Sequence, residues 1–569
     1  MNTAAGHIIC PLCNDAVDKL LYRFHIDSER KVFESIREQH PDWVENDGVC
    51  GRCVDYFHTT IVMEQRILPE IGPHFPIKSA DDFIILPTGL RLNADPQFTG
   101  KGITICFIDS GFAPHPDLTQ HHNRIKAVID ITAQTRYAED TTVLMRGFDK
   151  NMAIDDACWH GTMTSVVCAG DGWMANGLYK GIASDAELVL LKVQDAAGRI
   201  TNDAIVKALQ WVENHHESYG IRIVNMSLGG DAVLSGTQSS IDKQAERLVA
   251  KGIVLVAAVG NDEHGMVKPP ASAPHVIAVG GADDNNELGL ETRKLYHSTF
   301  GKTADELLKP ELLAHAIWIA APILPGTAAE KEAQVLYELV ATPDECLAAA
   351  LAGKYTNTKL GNAVSSSNDT SFIRQSIVQR IQEAKYISPA YMHVDGTSFA
   401  APIVSAIIAQ MLEANPALTP GAIRQILFST AKRIEGVPAA RQGFGLIQPR
   451  KALLKVLQRQ PVIPDYKSPF INYEQHAITF FMQHDCAGQV ALAGSFNNWA
   501  PDVLLLQPVQ NGIWKISIPM LPAGRYQYKF FIDETTWLED AGNPYREPDG
   551  FNGLNSILTV TSNTNQLPC

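Results

Sequence analysis

From residue 96 to 457, short continuous apolar runs alternate with longer amphipathic stretches. The runs Ile103–Ile108, Leu188–Val193, Arg222–Asn225, Ile253–Ala258 and Val276–Val279 predict strands. The stretches Asn202–Ser218 and Ser239–Lys251 predict helices, with apolar residues recurring on one face. Strands apolar throughout are buried on both faces, which predicts an α/β fold with a parallel sheet and helices on both sides. The pattern changes after Pro461, Pro464 and Pro469, which mark a linker over 458–471. Beyond it, Ala477–Met482, Gln489–Ala493, Ile513–Ile518, Gln527–Ile532 and Ser556–Val560 alternate as short strands between turns, predicting an all-β, immunoglobulin-like sandwich over 472–569. At the other end, a helical pattern over roughly Asp15 to His40 lies within a small unit, 1–56, joined by a proline-containing connector, 57–95.

Composition narrows the classes. The chain has 569 residues, a net charge of -15, 45% hydrophobic and 19% charged residues, an ordinary globular balance. The negative charge argues against nucleic acid or an anionic membrane as partner. The apolar stretch Leu312–Leu324 contains His315 and Pro322 and is too short to span a bilayer. Met1 to Gly6 runs directly into a cysteine motif without a charged-then-apolar leader, so a cytoplasmic location is expected.

Of the ten cysteines, four fall as Cys10-Pro-Leu-Cys13 and Cys50-Gly-Arg-Cys53. Two C-x-x-C pairs supply four thiolates, a set suited to tetrahedral structural zinc, with two disulfides or an iron centre as alternatives. The unit resembles a zinc ribbon or knuckle, and so small a unit would need its metal to fold.

The candidate chemistry centres on Asp395-Gly-Thr-Ser-Phe-Ala-Ala-Pro402, where Ser398 precedes an alanine-rich apolar helix pattern. A serine at a helix N-terminus sits where unpaired N–H groups favour developing negative charge. Upstream, Asp109-Ser-Gly111 ends a predicted strand, His160-Gly-Thr opens a small-residue helix, and Asn261 follows the strand ending at Ala258. Taken singly, Ser398 could be an N-cap, Asp109 and Asn261 turn residues, and His160 a core histidine. Together and in this order they resemble the subtilisin-like serine proteases (subtilases).

That resemblance implies a serine endopeptidase acting on a protein or peptide. Ser398 would attack the scissile carbonyl, His160 would take its proton, Asp109 would orient the imidazole, and Asn261 would donate to the oxyanion. Asn225-Met-Ser-Leu-Gly-Gly230 resembles the family's substrate-binding strand. Ser227, Leu228 and Gly229 would pair with the substrate, and Ala257 and Ala258 would flank the specificity pocket. Gly443-Phe-Gly445 resembles the family's C-terminal segment. The chain departs from the family pattern at Met163, where a second histidine is usual, and at Phe112, where a smaller aliphatic is usual. An insertion over about 327–385, with a helical pattern at Ala328–Val340, precedes the serine motif and is either a lid or a helical decoration. Many members of the family bind calcium, but no clear calcium loop stands out here.

Gly494-Ser-Phe-Asn-Asn-Trp499 and Pro522 to Asp533 resemble the glycogen-binding modules of AMP-activated kinase β subunits. The resemblance implies α-glucan as a partner, with Trp499 and Trp537 stacking on sugars and Lys529 and Asn555 bonding hydroxyls. A catalytically silent scaffold, recruited to α-glucan or protein partners through its terminal modules, is the alternative from another class.

Overall fold

The computed structural model describes residues 8–12, 16–17, 26–44, 47–54, 56–57, 85–132, 158–231, 239–287, 293–457, 468–473, 475–484, 487–509 and 512–561. The central sheet is built from β1 (Thr104–Asp109), β2 (Ile125–Asp130), β3 (Glu187–Lys192), β4 (Ile221–Met226), β5 (Val254–Ala258), β6 (Ile277–Asp283) and β7 (Leu312–His315). Their order across the sheet is β7-β6-β5-β4-β1-β3-β2, every neighbouring pair parallel. A short antiparallel strand, Lys294–Leu295, extends β6.

Successive residues of a strand face opposite sides, so β1 feeds two cores. Ile105 and Phe107 join one core with Met163 and Val166 of helix α1 (Cys158–Ala169). Cys106 and Ile108 join the other with Ile205 and Leu209 of α2 (Asn202–Tyr219) and with Ala245 and Leu248 of α3 (Ser240–Ala250). Thr201 caps α2 by accepting from the Ala204 amide, and Ser239 caps α3 by accepting from that of Asp242. The expected strands and both helices lie where the patterns put them, shifted by one or two residues at their ends, except that β6 runs four residues past its expected end at Val279. β2 escaped the pattern because, at the sheet edge, its residues alternate between buried and half-buried instead of forming an apolar run.

The insertion holds α4 (Ala328–Val340), α5 (Asp344–Lys354) and α6 (Thr370–Glu383), packed around their own core of Leu336, Leu347, Ile373 and Ile377. Its two stems, Ile319–Pro322 and Tyr391–Val394, pair antiparallel, and the second leads into the serine motif. That motif opens α7 (Thr397–Ala414), the one helix among the described residues long and apolar enough to cross a membrane, longer than the Leu312–Leu324 stretch. It is 83% buried beneath the sheet, a core helix.

The C-terminal unit is an antiparallel sandwich. One sheet orders Phe470–Asn472, Ala477–Gln483, Ile513–Pro519 and Gln507–Pro508. The other orders Val490–Gly494, Gly524–Ile532, Leu554–Val560 and Arg546–Pro548, with Thr536–Leu538 beside Gly524–Ile532. In the N-terminal unit, Ile8–Ile9 pairs with Ala16–Val17, and the helix Ile26–Gln39 packs Val32 and Ile36 against Trp43 and Phe57; positions 18–25 of the expected helical stretch lie outside the described residues.

Candidate active site and flanking modules

Asp109 ends β1 with its carboxylate buried. Its Oδ1 lies 2.7 Å from His160 Nδ1 and accepts from the Ser110 amide, also at 2.7 Å. Its Oδ2 accepts from Thr164 Oγ1 at 3.1 Å. Helix α1 reaches this close only because residue 161 is glycine: a Cβ there would sit 2.3 Å from the Gly111 carbonyl oxygen and 3.0 Å from Asp109 Cβ. Thr162 Oγ1 accepts from the Ala113 amide at 2.8 Å and donates to Cys158 O at 2.6 Å, locking the start of the helix to the loop after β1. The two departures noted in the sequence, Phe112 and Met163, are both buried in the same core beside this helix, a large apolar pair in contact with the sheet. Burial lowers the proton affinity of His160, but the charge and hydrogen bond of Asp109 outweigh it, so its pKa is raised.

Ser398 is the second residue of α7. Gly396 before it holds φ +133°, a conformation that favours glycine, and its amide donates to Ala316 O at 2.7 Å. Thr397 donates from its amide and its hydroxyl to Asn261 Oδ1, each at 2.8 Å. This fixes the Asn261 side chain with its oxygen engaged. Its Nδ2 lies 3.3 Å from where a Cβ on Gly396 would be. Ser227 Oγ donates to the Ser398 carbonyl at 2.7 Å, and the Ser398 hydroxyl donates to Ser227 O at 3.3 Å. Ser227 is in turn held by Asn225 Nδ2 at 3.2 Å. His160 and Phe399 rings lie 6.2 Å apart, so the helix of the histidine faces the helix of the serine.

Asp109, His160, Asn261 and Ser398 are therefore brought together at the carboxyl ends of the parallel strands. Ser227 is in contact with Ser398, and Ala257 pairs with Met226 on the neighbouring strand, with Ala258 next along it. Thr164 and Thr397 are site residues that sequence reading missed. The signal for Thr164 was its spacing of four from His160, one helical turn on the same face.

In the N-terminal unit, the Cys10, Cys50 and Cys53 sulfurs lie within 4.8 Å of one another and are buried. Cys10 Sγ and Cys53 Sγ are 3.9 Å apart, against about 3.8 Å for the edge of a tetrahedron with zinc–sulfur bonds of about 2.3 Å. Cys13 lies outside the described residues. In the sandwich, Tyr528, Phe530 and Ile532 point into the core, while Gln527, Lys529 and Phe531 point outward. Trp537 pairs with Phe531, the Trp499 and Trp537 rings stand 6.1 Å apart, and Asn555 Nδ2 donates to Gln527 Oε1 at 3.2 Å. Lys529 is half-buried and paired with Asp549.

A parallel α/β sheet carrying an Asp–His–Ser constellation at its carboxyl edge defines the class. The sequence model of the subtilase family matches residues 100–445, and the chain belongs to that family. The model for the glycogen recognition site of AMP-activated protein kinase matches residues 478–566. Serine protease AprX of Bacillus subtilis is 27% identical over 337 residues, 58% of this chain and 61% of AprX. Subtilisin Savinase of Lederbergia lenta is 28% identical over 189 residues, 33% of this chain and 58% of Savinase. The chain thus spans less than two thirds of either relative. The crystal structure of fervidolysin from Fervidobacterium pennivorans, described as a keratinolytic enzyme related to subtilisin, aligns with a TM-score of 0.44 at 16% identity, over 78% of this chain and 55% of that one.

Proposed function

We propose that this chain is a serine endopeptidase that cleaves protein or peptide substrates through an acyl-enzyme on Ser398. The observation that carries this is the 2.7 Å pairing of His160 Nδ1 with a buried Asp109 carboxylate, beside a serine at the head of α7. Asp109 fixes the imidazole so that Nε2 is the nitrogen left to act as base, and it stabilises the imidazolium that forms. The Ser398 hydroxyl, which donates to the Ser227 carbonyl, must leave it and turn to that nitrogen. As Oγ attacks, the proton passes to His160, then to the leaving amine; water repeats the sequence to release the acid. Asn261 has its oxygen tied by Thr397, leaving its N–H2 to meet the oxyanion beside the Ser398 amide. Incubating the intact chain with a mixed peptide library, and reading products by mass spectrometry, tests this. New amide cleavages lost in Ser398→Ala are expected; identical products from both proteins would refute it.

The flanking modules serve targeting in this account. The outward face carrying Trp499, Trp537, Lys529 and Asn555 would take an α-glucan, with the indoles stacking on the sugar rings. Calorimetry with maltoheptaose should show binding that Trp499→Ala and Trp537→Ala together abolish; unchanged binding would remove this role. Cys10, Cys13, Cys50 and Cys53 would hold one structural zinc, whose chemistry is to cross-link the chain, with every protein ligand position filled.

A further inference from the structure

Beyond β4 the chain runs through Ser227 and Leu228 to Gly229, and Ser227 touches Ser398 through both of its oxygens. Gly229 is two residues further on, about 7 Å along an extended chain. A Cβ added at Gly229 would lie 3.5 Å from Lys268 Cβ and 3.9 Å from Lys268 Cδ. The lysine stem therefore runs alongside the bare backbone of Gly229, in the space a side chain would otherwise fill. Its segment is fixed there, because the Gly230 amide donates to Pro269 O at 2.8 Å and the Ser272 amide to Lys268 O at 3.3 Å.

The ammonium is exposed and, among the described residues, meets no carboxylate. Of the acids nearest to it in sequence, Glu263 pairs with Arg441 and Asp262 Oδ1 accepts from the His264 amide. Of the two alanines expected beside the pocket, Ala257 is fully buried in the core that α2 and α3 cover, and only Ala258, on the opposite face of the strand, is half-buried.

We propose that Lys268 sets substrate preference: its ammonium takes an aspartate or glutamate side chain at the residue whose carbonyl Ser398 attacks. A substrate strand laid along Ser227–Gly229 with that carbonyl at Ser398 would direct the side chain of the same residue past Gly229 towards the lysine. A carboxylate there forms a charge-assisted hydrogen bond with an ammonium that the substrate shields from water. A lysine or arginine in the same place meets a like charge, so the pocket discriminates by repulsion as well as attraction.

This inference rests on the peptidase reading, and its test separates the two. Quenched fluorescent peptides differing only at that residue (Glu, Asp, Gln, Leu or Lys) are compared by kcat/KM on the intact chain. Glu or Asp should exceed the isosteric Gln by about tenfold or more. Lys268→Ala should bring the Glu:Gln ratio to near one, and Lys268→Glu should reverse the order of Glu and Lys. Ratios within one preparation are insensitive to its fraction of folded enzyme. A Glu:Gln ratio that survives Lys268→Ala, or a wild type that favours Leu over Glu, would overturn the role of Lys268 alone. No Ser398-dependent cleavage of any peptide would overturn the peptidase reading and this inference with it.

Discussion

Asp109 shows how the carboxylate of the proposed triad is held by more than its histidine. Its Oδ2 receives the Thr164 hydroxyl, whose proton is shared with Gly161 O, both at 3.1 Å. Thr164→Val keeps the shape and removes the donor, leaving more of the carboxylate charge for the imidazolium. The sign follows from His160, whose pKa the Asp109 charge already raises against burial. A base works only when neutral, so activity rises with pH through that raised value, and the valine variant should push the acidic limb of kcat/KM higher still. Its kcat should fall by about three- to tenfold, the weight of one shared hydrogen bond. A limb that stays in place, or moves to lower pH, would show that Thr164 does not act through Asp109. At this scale Asp109, His160, Asn261 and Ser398 were legible in the sequence, because each sits in a local motif at an element end. Lys268 was not, because its place is set by packing against Gly229, 39 positions away, which no local pattern records.

Among the described residues, the N-terminal unit has a small core of its own: Val32, Ile36, Trp43, Val49 and Phe57 gather around the buried cysteines. A cluster of that size needs a cross-link. We expect about one zinc per chain by elemental analysis, lost in Cys50→Ser, and a chelator should open residues 26–57 to proteolysis while 100–445 stays resistant. Protein that carries no metal and whose proteolysis ignores the chelator would rule out the zinc. The central strands were legible because burial on both faces writes an unbroken apolar run. Helices α5 and α6 were not. Their apolar residues face the insertion's private core through short amphipathic stretches, and the Asp369 cap of α6, accepting from the Ser371 and Phe372 amides, lies inside what reads as a polar loop.

At the scale of the molecule, the modules are joined and not merely strung together. Arg52 of the cysteine unit donates to the carbonyls of Leu90 and Arg91, at 3.3 and 2.7 Å. Arg91 is itself buried, paired with Asp284 and donating to Trp318 O. On the other side, Arg546 of the sandwich is buried against the catalytic domain, donating to Leu308 O at 3.2 Å with its guanidinium 4.4 Å from the centre of the Phe444 ring. Burial pulls its pKa down to about 10, although Glu311 and Glu539 pull the other way. Arg433 of the catalytic domain pairs with Glu539 of the sandwich. Arg546→Ala should cost about 2–3 kcal/mol and split a shared thermal transition into two, with the sandwich melting separately. A single unshifted transition would mean that the contact does not couple the domains. Changes in periodicity suggest the module boundaries, whereas these contacts leave no trace in the sequence, since an arginine in a strand reads as solvated until its partner is known.

The central claim is that Ser398 is an activated nucleophile. Labelling with a fluorophosphonate probe tests it on the intact chain, the Ser398→Ala variant and a version starting near residue 96. The intact chain should label at Ser398 and Ser398→Ala should not. Labelling of the shortened form alone would keep the nucleophile and make the first 95 residues its inhibitor. No labelling of either form, with both folded, would contradict the account and leave a silent scaffold.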